Sequence, residues 1–337
     1  MVVVDRYRCT YCGGCVSVCP VEALTLAETW LAVNDGCIDC GDCVLACPVG
    51  ALRPDEPLGR QGAPKRRYDL VVVGAGPGGA TAAWVAARAG LAVLLLEKRQ
   101  EIGSPVRCAE GVGHDALLPL IEPDPLWVAA EVNQAEITVV AGDETRTTRA
   151  SGGRGYILER RVFDRVLAER AVGAGAEVRV KTAATGLLMD GDRVCGVRIR
   201  RGDFFTGGGA VDVEAAVVIA ADGVEAQVGR WAGLDVQLPL QDTMVCAQYL
   251  LAGIEIDPTC TCYTIGHDLA PGGYAWVFPK GRGKANVGLG VQADLWRAAG
   301  ARSPSSADRP DLVGAETVLG YLTRFIEARP SLARGYR

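Results

Sequence analysis

Residues 68–99 read YDLVVVGAGPGGATAAWVAARAGLAVLLLEKR. Tyr68 to Val73 is an unbroken β-branched and aliphatic run, which suits a strand buried on both faces. The turn Gly74-Ala75-Gly76-Pro77-Gly78-Gly79 follows, then an Ala-rich helix to about Ala89, then a second strand ending at Glu97. Gly74 permits the sharp turn, Gly76 lets backbone amides approach a pyrophosphate, and Gly79 lets the helix pack close to the sheet. The helix N-terminus faces the phosphates, and an acid about 20 residues on, here Glu97, can accept both hydroxyls of an adenosine ribose. A lone G-x-G-x-x-G is a weak signal, but strand, turn, helix, strand and acid in this order predict a dinucleotide site. Leu70 to Leu96 carries one charge, Arg88, and could be mistaken for a membrane span. Glycines and a proline interrupt it, and the dinucleotide reading accounts for all of it.

Upstream, cysteines fall at Cys9, Cys12, Cys15 and Cys19, then at Cys37, Cys40, Cys43 and Cys47. Both sets read C-x2-C-x2-C-x3-C-P, closed by Pro20 and Pro48. A 4Fe–4S cube needs four thiolates set tetrahedrally. Three cysteines in one tight loop clasp three irons, and the fourth ligand comes from elsewhere. With this spacing, the fourth cysteine of each run ligates the other cluster. Cys9, Cys12, Cys15 and Cys47 are therefore assigned to one cube, and Cys37, Cys40, Cys43 and Cys19 to the other. Gly13, Gly14 and Gly41 supply backbone that can approach the cluster sulfides. Zinc knuckles also use C-x2-C pairs, but rarely three cysteines at this spacing followed by C-P, twice over. Residues 1–57 resemble the bacterial-type two-cluster ferredoxins. So short a module has little core, and its clusters are expected to hold it folded.

The 337 residues suggest two or three domains at roughly 150 residues each. Hydrophobic residues at 49% and charged ones at 22% are ordinary for a globular protein and exclude a disordered tail. Thirty-five Lys and Arg against 40 Asp and Glu leave a net charge of -5. That balance argues against nucleic acid as a partner, because phosphate neutralisation needs a basic face. The opening MVVVDRYRCTYC has no apolar stretch before its first cysteine, so no secretory signal is read and a cytoplasmic location is expected. In a reducing compartment, clustered cysteines hold metal rather than form disulfides. Residues 58–67, inside a stretch rich in Pro, Gly and charge, read as a linker. The expected division is a ferredoxin domain at 1–57, the linker, a dinucleotide-binding domain at 68–234, which the resemblance given below makes an FAD-binding domain, and a sheet at 235–337, which the same resemblance makes substrate-binding.

Further motifs lie downstream. Lys98 onward reads KRQEIGSPVRCAEGV, Arg160-Arg161-Val162-Phe163-Asp164 opens a helix, and Val217 to Gly223 ends a strand at Asp222-Gly223. Gly273-Tyr274-Ala275-Trp276-Val277-Phe278-Pro279 precedes a strand over 285–291. This assembly, over about residues 68–337, resembles the geranylgeranyl reductase family within the p-hydroxybenzoate-hydroxylase-like flavoproteins. The Val106-to-Gly111 segment and the Tyr274-x-Trp276-x-Phe278-Pro279 segment carry most of that resemblance, and Asp222-Gly223 is shared more widely. The resemblance implies FAD bound through Gly78, Glu97, Cys108, Ala109, Gly111, Arg160 and a small residue at Ala184, with Asp222 in the cofactor set. It implies Tyr274, Trp276 and Phe278 lining an apolar slot for an isoprenoid chain, whose double bonds receive hydride from the reduced flavin. Ordinary sheet core is an equally good reading of the three aromatics.

The residues alone agree with this chemistry. Reducing an unactivated alkene needs a strong hydride donor and an apolar tunnel, with little acid–base machinery. Only His114 and His267 are present, which leaves a Ser-His-Asp triad or a His-rich metal centre unsupported. Cys108 is the candidate catalytic thiol, with contact to the flavin ring favoured over proton donation. Cys195, Cys246 and the Cys260-x-Cys262 pair read as core. No second G-x-G-x-x-G is present, so flavin is expected as the only dinucleotide.

The late Gly-Asp motif of the superfamily does not follow Val291, and the chain is expected to be a shortened member. The fold expected is α/β and α+β: a small two-cluster ferredoxin module fused to a Rossmann-like FAD domain with an additional mixed sheet. An isoprenoid or polyprenyl lipid and an upstream low-potential electron donor are the expected partners, with a peripheral position at the membrane left open. Two alternatives stand: a quinone-reducing electron-transfer flavoprotein dehydrogenase, and a shortened, non-catalytic electron carrier.

Overall fold

The computed structural model describes residues 2–6, 8–27, 30–54, 67–201, 210–298 and 317–335. The linker expected at 58–67 lies outside the described residues apart from Arg67. The chain divides into two compact units, Met1–Ser104 with Asp164–Asp235, and Pro105–Phe163 with Val236–Arg337. The division is not linear: residues 105–163, inside the stretch expected to form the FAD domain, fold with the C-terminal segment.

In the first unit, the cysteine-rich head pairs strand Val2–Val4 with Leu52–Pro54 and strand Leu24–Ala27 with Trp30–Val33, both antiparallel. Two short helices, Gly14–Ser17 and Asp42–Leu45, follow the left-handed glycines Gly13 and Gly41 at φ 78° and 84°. The sequence repeat is a backbone repeat as well. Tyr11 and Asp39 stand at the same place between the first two cysteines of their runs and share a left-handed φ, 55° and 53°. That conformation is costly for a residue with a side chain. Val2, Leu24, Leu31 and Leu52 form the small core together with Cys9, Cys15 and Cys43.

The rest of the first unit is a six-stranded sheet. Its order is Glu177–Arg179, Val93–Leu96, Arg67–Val73, Ala210–Ala220, Arg193–Arg201 and Thr182–Asp190. The first four strands run parallel, the fifth runs antiparallel to them, and the sixth is antiparallel to the fifth. Arg67–Val73 is an interior strand, so Val71 and Val72 are fully buried, as its unbroken apolar run requires. Helix Pro77–Arg88 follows and buries Ala80, Ala83 and Ala87. Its approach is possible only because of two glycines. A Cβ on Gly79 would lie 1.9 Å from the Gly74 carbonyl oxygen, and one on Gly74, at φ 105°, would lie 2.3 Å from that of Ala221. A Cβ on Gly76 or Gly78 would meet nothing within 4 Å.

The second unit is a seven-stranded mixed sheet. Its order is Met244–Ala252, Lys284–Gln292, Tyr274–Pro279, Cys260–Ile265, Val128–Ala141, Glu144–Leu158 and Gly111–Gly113. Only the pair of Cys260–Ile265 with Val128–Ala141 is parallel. Helix Val318–Glu327 begins at Thr317, whose hydroxyl oxygen accepts from the Gly320 amide at 3.0 Å. Its residues Val318, Leu322, Phe325 and Ile326 recur at helical spacing and bury against Leu251, Val277, Val287 and Leu289. Strand alternation puts Trp276 and Phe278 on the other face, packed with Val132 and Ile157. No helix among the described residues is long and apolar enough to cross a membrane.

Gly79→Ala is expected to cost at least about 2 kcal/mol through overpacking, read as a lowered Tm. Gly78→Ala, with open space at its Cβ, is expected to leave Tm unchanged or slightly raised. Equal losses from the two variants would contradict the close-approach account.

Candidate cofactor sites

The eight head cysteines surround two small cavities, and each cavity mixes the two runs. One is lined by Cys9, Cys12, Cys15 and Cys47, with Tyr11, Leu26, Leu31 and Leu52. The other is lined by Cys37, Cys40, Cys43 and Cys19, with Val2, Val21, Leu24 and Val33. These are the crossed sets that the spacing predicts. The thiols ring a cavity rather than converge on a point. Among the described residues no three His, Cys, Asp or Glu side chains gather tightly enough for a single metal ion, the arrangement a zinc knuckle needs. Two four-thiol rings of this kind fit 4Fe–4S cubes. The fourth thiol of each run sits under a backbone amide: Cys19 Sγ accepts from Ala23 N at 3.2 Å and Cys47 Sγ from Ala51 N at 3.0 Å. Burial works against ionisation of Cys47, but the amides of Ala51, Val49, Leu52 and Gly50 outweigh it and hold the thiol below its ordinary value. Burial pushes Cys15 and Cys43 up.

In the same unit, a cavity of about 470 Å³ opens along the strand ends beside the glycine turn. Gly74, Gly76, Glu97, Ala184 and Asp222 line it, together with Lys98, Arg99, Thr182, Thr185 and Trp231. Its size falls within the usual range for small-molecule sites. Glu97, buried, has one carboxylate oxygen accepting from Ala75 N at 3.3 Å and the other from Arg99 N at 2.9 Å. A carboxylate has capacity beyond two such bonds, so the side chain is held rigid while lone pairs remain for hydroxyl donors. Asp222 accepts from Val228 N at 2.8 Å and so fixes the turn into helix Gln227–Trp231. The glycine turn, the acid and the open faces of Gly76 and Gly78 fit the adenosine and pyrophosphate part of a dinucleotide.

Cys108, Ala109, Gly111 and Arg160 belong to the segments of the second unit or its edge. A buried polar network that the sequence reading did not find holds them there. Glu110 and Lys280, 5% and 4% exposed at their side chains, form an ion pair of 2.7 Å. Glu110 also accepts from Asn286 Nδ2 at 2.7 Å and from the Arg160 amide at 2.9 Å. Lys280 donates to the Leu158 carbonyl at 2.6 Å, and Asn286 to that of Ala109 at 3.1 Å. Gln248 donates to the Cys108 carbonyl at 3.2 Å while its own carbonyl oxygen accepts from Trp276 Nε1 at 2.9 Å. The loop 108–111 is thereby clamped on both sides, with the Cys108 residue exposed and its sulfur accepting from Glu110 N at 3.2 Å. Single charges at strand ends carry no periodic signal, so only Glu110's place inside the quoted 106–111 segment hinted at this.

The three aromatic residues expected to line a substrate slot share one face of the sheet. Trp276 and Phe278 are buried, and Tyr274 is exposed. Tyr274 meets Trp276 edge-on at 5.9 Å, and Tyr263 packs against both Tyr274 and Phe278. Glycines make the room: a Cβ on Gly288 would lie 2.4 Å from the Trp276 indole, and one on Gly111 would lie 3.2 Å from the Phe278 ring. Of the remaining candidates, His114 shares a 2.7 Å hydrogen bond with Tyr156 and His267 lies exposed in a turn. Burial pushes the Cys262 thiol up to about 12, so it stays protonated as a core group. Cys246 departs from the core reading. It is exposed, because Met244–Ala252 is the edge strand of its sheet.

Three family models match the chain: FAD dependent oxidoreductase over residues 69–268, 4Fe-4S binding domain over 2–25 and 33–53, and geranylgeranyl reductase catalytic domain over 242–303. The chain is 51% identical over 236 residues to a digeranylgeranylglycerophospholipid reductase of Methanocella arvoryzae, covering 69% of this chain and 59% of that protein. It is 48% identical over 264 residues to the protein of that name from Methanosarcina acetivorans, covering 78% and 60%. A solved geranylgeranyl bacteriochlorophyll reductase-like protein from Thermoplasma acidophilum superposes with a TM-score of 0.69 at 41% identity, over 80% of this chain and 64% of that one. The myxobacterial chondrochloren halogenase, at 21% identity and a TM-score of 0.59, shares the fold. The chain spans about 60% of the length of the curated relatives it matches.

Two outcomes test these sites. Cys9→Ser combined with Cys47→Ser is expected to lose no more iron than either change alone, whereas Cys37→Ser with Cys47→Ser depletes both clusters. The reverse pattern would mean that each run closes its own cavity. Glu110→Gln, which strands the buried Lys280 charge, is expected to destabilise by about 3–5 kcal/mol, read in thermal unfolding; an unchanged Tm would contradict the clamp.

Proposed function

Because the chain belongs to the FAD dependent oxidoreductase family and is similar to geranylgeranyl reductases, we propose that it reduces isoprenoid carbon–carbon double bonds of digeranylgeranylglycerophospholipid-type lipids. The observation that carries this reading is that one compact unit holds both the two four-thiol cavities and the dinucleotide cavity. One-electron carriers and a two-electron carrier are then built into a single chain. FAD held in the dinucleotide cavity would supply hydride chemistry, and 4Fe–4S clusters held by the two thiol rings would supply single electrons.

The chain's own residues bind, orient and exclude water. Amides of the glycine turn and the rigid carboxylate of Glu97 receive the pyrophosphate and ribose, with Ala184 and Asp222 along the same cavity. Cys108, Ala109 and Gly111 sit on the clamped loop, and the backbone of Arg160 is fastened to it through Glu110. Tyr274 stands exposed beside the buried Trp276 and Phe278 on an apolar sheet face suited to a prenyl chain, and the one polar atom of the Trp276 side chain is already committed to Gln248. Cys108 is the exposed thiol of this framework, and packing contact rather than proton delivery is its role. Eight thiols kept for iron need a reducing compartment, which supports a cytoplasmic enzyme that meets its lipid at the membrane surface. An upstream low-potential one-electron donor completes the scheme.

Anaerobically reduced enzyme is expected to return its flavin to the oxidised spectrum when mixed with a geranylgeranylated glycerophospholipid, with loss of double bonds in the lipid. Reoxidation by a quinone but not by the lipid would replace this reading with a quinone-reducing dehydrogenase. Cys108→Ala is expected to keep its FAD and lose less than about tenfold in rate. A loss of about 100-fold or more would assign proton delivery to the thiol.

A further inference from the structure

Lys181 joins the cysteine-rich head to the dinucleotide sheet inside one compact unit. It lies between strands Glu177–Arg179 and Thr182–Asp190 at a left-handed φ of 49°, a conformation that costs a residue with a side chain. Its amide donates to the Arg99 carbonyl at 2.8 Å, and the next amide, of Thr182, donates to the Glu97 carbonyl at 2.9 Å. The backbone here hangs from residues 97–99, which line the dinucleotide cavity together with Thr182 to Thr185. The side chain, only 7% exposed, reaches the first cysteine run. Its ammonium donates to the carbonyls of Arg6 and Cys9, the second at 3.0 Å, and to the Tyr11 hydroxyl at 3.2 Å. It also stands 4.2 Å from the centre of the Tyr11 ring.

A lysine taken out of water is heavily penalised unless dipoles or opposite charge compensate it. Two carbonyls, a hydroxyl and an aromatic face solvate this one, and the ring of four thiols to which Cys9 belongs supplies negative charge when ionised. Where the first run has Tyr11 with the lysine ammonium on it, the second has Asp39, whose carboxylate accepts from Cys37 Sγ at 3.7 Å. Cluster potentials respond to nearby charge: a cation favours the reduced, more negative state and an anion disfavours it.

We propose that Lys181 is a positioning residue that docks the Cys9–Cys12–Cys15–Cys47 site against the dinucleotide-binding strands and raises its potential. The inference rests on the reading that both thiol rings hold 4Fe–4S clusters. Clusters held in the two rings would exchange single electrons with no proton moving, and the Lys181 ammonium would favour the reduced state on the side fastened to the dinucleotide cavity.

The test is a redox titration of the anaerobically purified full chain, followed by electron paramagnetic resonance. Lys181→Gln is expected to lower one cluster potential by at least a tenfold change in its one-electron equilibrium constant, which is 59 mV, and to leave the other in place. Unmoved potentials, or both signals moving together, would overturn the proposal. If Lys181→Gln loses iron, Lys181→Met, which keeps the apolar stem and removes the charge, carries the test with the same two outcomes, while Lys181→Arg, which keeps the charge, is expected to leave both potentials in place. Failure of the cluster reading itself would show separately, as wild-type chain without the iron of two cubes.

Discussion

A contact that no side chain could survive organises the first unit. The Cα of Gly79 is pressed against the carbonyl of Gly74, and Gly74 is pressed against the carbonyl of Ala221. Those two approaches bring the helix Pro77–Arg88 down onto the sheet and bring the turn after Ala220 alongside the turn after Val73. The cavity edged by Gly76, Glu97 and Asp222 is the space left beside them. Close packing here is a precondition for the site, because a helix held further away would carry its N-terminal amides out of reach of a bound phosphate.

The head follows a different logic. Its apolar core is a handful of residues, and cysteines are part of it. Each tight loop leaves a ring of three thiols that only the other loop can close, so neither half of the repeat is complete alone. Backbone amides over Cys19 and Cys47 support the two lent thiols symmetrically. Side chains break the symmetry, with the Lys181 ammonium seated on Tyr11 in one repeat and Asp39 at the matching point of the other. Backbone thus sets the geometry of a symmetric pair, and side chains make its members unequal.

The local elements were legible in the sequence. The strand, turn and helix over 68–89 and the crossed cysteine sets follow from spacing, because thiol rings and close backbone approaches demand fixed residues at fixed intervals. The aromatic face was legible as an alternation, though alternation alone could not separate a slot from a core, and Trp276 and Phe278 are indeed buried. The way the chain is shared between units was not legible. Residues 105–163 return to the sheet of 236–292 through pairings such as Cys260–Ile265 with Val128–Ala141, more than a hundred residues apart, and no local pattern encodes a partner at that distance. The buried charges were missed for a related reason. Glu110, Lys280 and Lys181 are single polar residues whose partners are carbonyls and side chains brought in by tertiary folding.

Coexistence of cluster and flavin chemistry in one chain is tested most directly by stoichiometric reductive titration of the anaerobically purified protein, with cluster and flavin absorbance followed together. Uptake of about four electrons per chain is expected, one for each of two cubes and two for one FAD. Uptake of about two, with no flavin spectrum, would contradict it and leave an electron-carrying head on a dinucleotide fold that binds no flavin.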